Sequence, residues 1–340
     1  MTFSTRSIAI ILALLVSACG PHNPPTHSLE VAIQGLHSGA LSDDGEFAVV
    51  GSIVHGGSLW RLRDEERLYN WNHDQQEPTT ITSADISGDG RWALTASVNT
   101  MVLWDIESGA ALRYWTAPGE ILDVKLDAAA SIAALGLSNH TAVIFDIRRG
   151  GILHTFTHQN RVRSVDFSAN GRVLLTGSED YHAVAWNAQT GAELQRVKHQ
   201  DDVQLVKLSG DGRLALSVSK YDRALLWDTV SGETLGEVPL QAERLKRGLR
   251  FTAARFSADN QFLLTGRPDQ WVQLWQLNPL LLIDSWELPK RDKWKPTGAA
   301  VLDLAFKSVD QAETGDFVAI ASNGFIHRLQ RNPPNNGGFF

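Results

Sequence analysis

The residues His158, Thr176 and Asp180 are of the types found in a hydrolytic triad. In such a triad, an acidic residue orients a histidine, and the histidine activates a hydroxyl group. Trp186 follows six residues after Asp180. A catalytic triad is expected once in a chain, whereas parts of this set recur. The recurrence favours a hydrogen-bond network that each structural unit repeats. The related sets are His199, Ser217 and Trp227, with Tyr221 in place of the acid; Thr95, Asn99 and Trp104; and Thr265, Asp269 and Trp275.

No recognised catalytic motif is present: the sequence lacks a Gly-x-Ser-x-Gly elbow, a phosphate-binding loop, His-Glu-x-x-His and a calcium loop. The single cysteine excludes an internal disulfide and a cysteine-rich zinc site. We therefore predict a protein without enzymatic activity, cofactor or metal. The alternative is an envelope enzyme or ligand sensor with its site at a central channel. Its candidate residues are His55, His73, Asp269 and Arg267.

The units that carry these sets repeat every 41 residues in the middle of the chain, with longer spacings towards both ends. Each unit contains two turn signals, of which ISGDG and WDIESGAAL are examples, separated by short apolar runs. Asp-Gly and Asn-Gly pairs supply the positive φ angles of tight hairpins. Each unit is therefore predicted to form four short antiparallel strands. The aromatic residues that close the units are Trp60, Trp104, Phe145, Trp186, Trp227 and Trp275.

The repeats resemble the WD-repeat family of β-propellers, which has a period of 40 to 45 residues and a Trp-Asp ending. Trp104-Asp105 and Trp227-Asp228 match that ending. The other units depart from it, at Trp60-Arg61, Phe145-Asp146, Trp186-Asn187 and Trp275-Gln276. The resemblance implies an all-β propeller over residues 29–330. It also implies that His158, Thr176, Asp180 and Trp186 form a structural network within a blade.

Seven sets of three inner strands are predicted, the last of them degenerate and without tryptophan. That seventh set has no outer strand after it, whereas SLEVAIQG near Ser28 is a strand without a partner. Propellers of this family close when such a strand completes the last blade, which removes exposed sheet edges. We therefore predict a seven-bladed propeller closed by an N-terminal outer strand. Residues 331–340 are predicted to be a flexible tail.

The N-terminus has one cation at Arg6, followed by the nine-residue apolar run IAIILALLV. This run is too short to span a membrane and is typical of a secretory signal. Val16-Ser17-Ala18-Cys19 resembles the lipobox of bacterial lipoproteins, which implies cleavage before Cys19 and acylation of its thiol. We therefore predict a signal peptide over residues 1–18 and a lipidated, proline-rich tether over residues 19–28. An unlipidated signal peptide is the alternative.

Lipidation implies a protein anchored in the bacterial cell envelope by acyl chains. Gly20 stands where the enterobacterial signal for inner-membrane retention has aspartate, which favours the periplasmic side of the outer membrane. The formal net charge of −7 argues against binding to nucleic acid. The protein is predicted to be monomeric.

Two long basic loops stand out in this acidic chain. Residues 241–250 carry +3 and residues 287–298 carry +2, which leaves −12 for the rest of the chain. A basic patch with tryptophan anchors suits recognition of a partner; two solvated insertions are the alternative. The predicted binding residues are Arg244, Lys246, Arg247, Arg250, Trp271, Lys290, Arg291, Lys293, Trp294 and Lys295.

These observations favour a non-enzymatic, lipid-anchored scaffold that binds an envelope protein or peptide through loops on one propeller face. Two further hypotheses remain open. One is the enzyme or sensor at the channel; the other is a receptor for an anionic envelope polymer, whose binding would weaken with added salt.

Overall fold

The computed structural model describes residues 23–74, 77–221, 223–240, 250–292, 298–307 and 315–331. The predictions for Cys19, Arg244, Lys246, Arg247, Lys293, Trp294, Lys295 and the 332–340 part of the tail lie outside these ranges. In the described residues, every regular element is a β-strand. No helix among them has the length and apolar character needed to cross a membrane.

Within these ranges the strands form seven four-stranded antiparallel sheets, the blades of a propeller. The innermost strands are β2 (Leu36–Leu41), β6 (Ser83–Ile86), β10 (Ile121–Leu126), β14 (Val162–Phe167), β18 (Val203–Leu208), β22 (Ala253–Phe256) and β26 (Val301–Phe306). The second strands are β3 (Phe47–Ser52), β7 (Trp92–Ser97), β11 (Ile132–Leu137), β15 (Val173–Ser178), β19 (Leu214–Ser219), β23 (Phe262–Gly266) and β27 (Asp316–Ala321). The third strands are β4 (Gly56–Arg61), β8 (Thr100–Asp105), β12 (Thr141–Asp146), β16 (His182–Asn187), β20 (Ala224–Asp228), β24 (Trp271–Leu277) and β28 (Phe325–Gln330). The outermost strands are β5 (Glu66–Trp71), β9 (Ala111–Thr116), β13 (Ile152–Thr157), β17 (Glu193–Lys198), β21 (Thr234–Glu237), β25 (Leu280–Glu287) and β1 (His27–Glu30).

The seventh blade takes its outermost strand from the other end of the chain, as predicted. Its strand order is β1-β28-β27-β26, and β1 pairs antiparallel with β28 from His27↔Arg328 to Glu30↔Phe325. The all-β, seven-bladed fold with N-terminal closure is thus confirmed. The sequence analysis assigned residues up to 28 to the tether, but the structure places His27 and Ser28 in β1. Asn23 also lies against the propeller, where its amide donates to Asp284 Oδ1 at 2.7 Å.

Tight turns join the first two strands of the first six blades, and a serine hydroxyl organises five of these turns. In one, Ser209 Oγ donates to Asp211 Oδ1 at 2.6 Å and accepts from Leu214 N at 2.8 Å. The same Ser-x-Asp/Asn arrangement recurs at Ser42, Ser87, Ser168 and Ser257. The aspartates of these turns are therefore structural, and the Asp-Gly pairs serve the hairpins that the sequence predicts.

The core is divided among the blade interfaces. The buried apolar residues form seven clusters in the described chain, and each cluster joins two adjacent blades. In the degenerate seventh blade, Leu329 replaces the closing aromatic residue, and Trp286 from the sixth blade packs edge-on against Phe317 with ring centroids 5.3 Å apart. Since each blade is stabilised by both neighbours, closure of the ring contributes to the stability of the whole domain.

The antiparallel order gives the propeller two distinct ends. We call one the crossover face: it carries the connections from each outermost strand to the next innermost strand, together with the turns between second and third strands. We call the other the hairpin face: it carries the turns between first and second and between third and fourth strands. The innermost strands line a channel between them, with cavities of about 230 Å³ at the crossover end and about 550 Å³ at the hairpin end.

Candidate functional site

The structure brings His158, Thr176, Asp180 and Trp186 together beneath the crossover face. His158 Nδ1 lies 2.9 Å from Asp180 Oδ2 and His158 Nε2 lies 2.9 Å from Thr176 Oγ1. Trp186 Nε1 donates to Thr176 Oγ1 at 2.9 Å. Burial opposes the ionisation of Asp180, but hydrogen bonds from His158 and two backbone N–H groups hold its pKa below the usual range. The Thr176 hydroxyl is fully buried, so it cannot meet a substrate as a nucleophile.

This network joins three parts of one blade: His158 lies in a crossover, Asp180 in the turn between second and third strands, and Thr176 and Trp186 in those strands. It therefore fixes the height and orientation of two loops at the crossover face. Corresponding contacts exist in three other blades. His199 Nε2 lies 2.7 Å from Ser217 Oγ, and the indole N–H groups of Trp227, Trp104 and Trp275 donate to Ser217, Thr95 and Thr265.

Two expectations about these networks were wrong. In the second blade the histidine is His73, which the sequence analysis considered for the channel enzyme. Its Nε2 lies 2.8 Å from Thr95 Oγ1 and its Nδ1 2.9 Å from the hydroxyl of Thr100, so Thr100 takes the place expected of Asn99. Burial lowers the pKa of His73 to about 4. In the fifth blade Tyr221 is 62% exposed, with the Lys220 ammonium 5.1 Å from its ring centroid, rather than in the place of the acid.

The four channel-enzyme candidates do not assemble into one site. Arg267 and Asp269 pair in the sixth blade, with Nη2 and Oδ2 2.6 Å apart, and Arg267 also donates to Leu240 O. His73 belongs to the second blade, and His55 is exposed in a turn of the first. Across the described residues, no group of three or more His, Cys, Asp or Glu side chains is placed to hold a metal ion.

Arg291, predicted to bind a partner, instead fastens the closing strand. Its Nε donates to Asn323 O at 2.9 Å, its Nη2 donates to Ala32 O at 2.5 Å, and its Nη1 pairs with Glu30 at 2.7 Å. Its guanidinium also lies 4.7 Å from the ring centroid of Phe325. These contacts tie the crossover after blade six to both strands of the β1–β28 pair. Of the other described residues predicted to bind, Lys290 is exposed, and Arg250 and Trp271 are partly buried.

We expect Arg291→Met to lower the free energy of unfolding by about 2 kcal/mol, because charge-assisted hydrogen bonds at partly buried sites are lost. Urea denaturation measures this change. The exposed neighbour Lys290 provides the matched substitution, and Lys290→Met should change stability by less than about 0.5 kcal/mol. Wild-type stability in Arg291→Met would contradict the assignment of this residue to ring closure.

The apolar side chains exposed on the crossover face were not predicted from the sequence. Among the described residues, six large apolar side chains at least 40% exposed lie in loops of that face, and one, Val230, lies on the hairpin face; the remaining seven lie on outermost strands. The six are Ile33 (70%), Ile53 (45%), Val54 (40%), Val98 (58%), Tyr181 (43%) and Tyr221 (62%). No periodicity marks them, because they lie in turns that the repeat pattern leaves variable.

Ile33, Ile53 and Val54 lie on loops that contact each other, since Ile53 N donates to Gly35 O at 3.2 Å. Val98 has a φ of 43°, a left-handed conformation that a β-branched side chain rarely adopts. In the free protein, the exposed side chain of Val98 contributes no hydrophobic stabilisation that would offset this strain. Such strain is often retained where a surface is used.

One comparison with known proteins identifies part of the chain. Residues 150–187, which contain β13 of the third blade and the three inner strands of the fourth blade with its complete hydrogen-bond network, match the family model described as WD domain, G-beta repeat. No curated protein matches the chain. The other six blades repeat the strand order of the matched one, which supports the WD40 propeller family for the whole ring. The fold is thus a seven-bladed β-propeller of the WD40 type, a class that generally serves as a scaffold for protein interactions.

Proposed function

We propose that this protein is a lipid-anchored scaffold of the bacterial cell envelope that binds a protein partner through its crossover face. The observation that carries the proposal is the asymmetry of exposed apolar side chains, six on the crossover face against one on the hairpin face among the described residues. Exposed apolar side chains on a rigid frame are typical of protein interaction sites. The networks of the second and fourth blades hold the turns that present Val98 and Tyr181.

The position of the N-terminal segment is compatible with an anchor at Cys19. Residues 23–30 run along the outer strands of blades six and seven, where Asn23 contacts Asp284 and β1 pairs with β28. This segment therefore leaves the channel mouths at both faces uncovered. A chain fastened to the membrane through Cys19 would present the crossover face to a partner without interference from residues 23–30.

A photoreactive amino acid at Val98 tests the proposed face in cells that express the full chain. We expect it to form a crosslink to one dominant envelope protein, identified by mass spectrometry. Val230 is the matched control, because it is a valine in an exposed turn (76%) on the opposite face. Equal crosslinking from both positions, or none from Val98, would argue against partner binding at the crossover face.

Cys19→Ser tests the anchor separately. Since the acyl chains supply nearly all membrane affinity, with each buried CH₂ contributing about 0.8 kcal/mol, we expect the variant to leave the membrane fraction almost completely. Cell fractionation with immunodetection measures the distribution, and Ser17→Thr, which keeps the thiol, is the control. A variant that stays fully in the membrane fraction would refute anchoring through Cys19.

The two alternative functions have less support. For the channel enzyme, the candidate His73 belongs to the hydrogen-bond network of a blade, and the remaining candidates lie apart in the first and sixth blades. The anionic-polymer receptor loses Arg291, whose charge is matched by Glu30. The scaffold requires neither set of residues.

A further inference from the structure

An aspartate followed by a lysine in the next blade occurs twice in the channel wall, and the two pairs differ in their contacts. Asp85 on β6 is followed in the next blade by Lys125 on β10; Asp166 on β14 is followed by Lys207 on β18. In both pairs the aspartate bridges to the next blade. Asp85 Oδ2 accepts from Leu126 N and Asp166 Oδ2 accepts from Leu208 N, each at 2.8 Å.

Only in the first of these two pairs do the aspartate and the lysine form an ion pair. Lys125 Nζ lies 2.5 Å from Asp85 Oδ1; burial alone would lower the pKa of Lys125, but the carboxylates around it raise the pKa above its usual value. The ammonium of Lys207, by contrast, makes no direct hydrogen bond or ion pair with a residue that the structure describes, although its charge interacts at longer range with those of Asp85, Asp123 and Asp303. The third cation of the wall, Arg255, is paired with Asp43 and Asp303. Of these three cations of the described channel wall, Lys207 is thus the one whose charged group makes no direct contact with a carboxylate.

Asp166 and Lys207 both line the cavity of about 550 Å³ at the hairpin end, and Lys207 also lines the smaller cavity. The volume lies within the range of small-molecule sites. Above the charged residues, the last residue of the inner strand gives six of the seven blades an apolar contact to the cavity. Those that line it are Ile86, Leu126, Phe167, Leu208, Phe256 and Phe306. The site therefore combines an apolar wall with an aspartate and a lysine that form no ion pair with each other.

We propose that this cavity binds a small zwitterion with an apolar side chain, of the class of a hydrophobic α-amino acid. Its carboxylate would accept from Lys207 Nζ, its ammonium would donate to the carboxylate of Asp166, and its side chain would pack against Phe167 and Leu208. A ligand that carries only one charge would make a charge-assisted hydrogen bond with only one of these two groups and would bind less tightly. A dianion would also meet the carboxylates of Asp43 and Asp85, which line the same cavity.

This site is separate from the crossover face and does not depend on the proposed scaffold function. Isothermal titration of the full chain with L-phenylalanine tests it, with phenylacetate and phenethylamine as probes that each lack one charge. We expect L-phenylalanine to bind about tenfold or more tightly than either probe. No binding of L-phenylalanine, or equal binding of a singly charged probe, would overturn the proposal.

Lys207→Met and Asp166→Asn locate the binding. Each should weaken L-phenylalanine binding by about tenfold or more, since each removes one charged partner. The amide side chain in Asp166→Asn keeps an oxygen that can accept from Leu208 N. Lys220→Met, on the crossover face, is the control and should bind as the wild type does. Unchanged affinity in Lys207→Met would refute the site; should that variant fail to fold, the comparison of probes on the wild type still decides.

Discussion

Asp180→Ala is expected to lower the free energy of unfolding by about 3 kcal/mol, measured by urea denaturation at neutral pH. A buried donor left without its acceptor typically costs about 1–3 kcal/mol, and more where the lost acceptor is charged. Here the substitution leaves His158 Nδ1 and the backbone N–H groups of Gln159 and His182 without their acceptor. His158 and Asp180 side chains are 0% and 3% exposed, so water cannot replace it in the folded state.

The repeat supplies a matched control for this prediction. Asn139 occupies the corresponding turn of the third blade, where its side chain is exposed and accepts from Thr141 Oγ1 at 2.7 Å. Asn139→Ala should change stability by less than about 0.5 kcal/mol. A similar loss in both variants would mean that the network contributes little beyond the turn itself.

Acid is expected to destabilise the propeller through His327, and His327→Leu should remove that part of the effect. His327 is fully buried, its Nδ1 lies 2.8 Å from Ser28 Oγ on the closing strand, and its Nε2 has no partner among the described residues. Burial lowers the pKa of His327 to about 4. At the corresponding position of the third strand, four other blades have an apolar residue: Val102, Val143, Val184 and Leu225.

The direction of the pH dependence follows from the two pKa values. A histidine in the unfolded chain has a pKa near 6.5, so between about pH 6.5 and pH 4 the unfolded state binds a proton that the folded state does not. The stability present above pH 6.5 is therefore lost as the pH falls through this window. From about pH 7.5 to about pH 4.5 the contribution of His327 amounts to about 2.5 kcal/mol.

Urea denaturation of the wild type and His327→Leu at these two pH values measures the difference. His73, whose pKa is also lowered to about 4, contributes to both proteins and cancels in the comparison. His55→Leu, at an exposed turn, should keep the full wild-type pH dependence. An equal loss of stability in wild type and His327→Leu would show that the seventh blade tolerates a charged His327.

Much of the fold was predictable because its signals are local and repeated. The turn residues, such as Ser209 and Asp211, fix hairpins within a few positions of the chain. The 41-residue spacing of the closing aromatics sets the length of a blade. An unpaired strand at one end and a missing strand at the other predicted the pairing of β1 with β28, since exposed sheet edges are unfavourable.

The side-chain partners were less predictable, because they depend on which residues of different blades meet. Arg291 lies in a loop whose basic composition predicted partner binding. Its four contacts, however, lie on β1, on β28 and in the loops beside them, more than 30 residues away in each direction. His73 was separated from Thr95 by a long crossover, and its role followed only from their 2.8 Å contact.

The sequence by itself determined the seven-bladed architecture, its closure and the prediction of a lipid-anchored envelope protein, since these depend on periodicity, turn chemistry and a short terminal motif. Only the tertiary structure decided which loops share a face, that apolar side chains are exposed mainly on the crossover face, and that Lys125 is paired while Lys207 is not paired with any described residue. The ring brings residues about 40 positions apart into contact between consecutive blades, and its closure brings Leu41 and Asp303, 262 positions apart, into contact between the first and seventh blades. The repeated sequence gives these contacts a common pattern. Which of them form depends on the side chains that meet when the blades close into a ring.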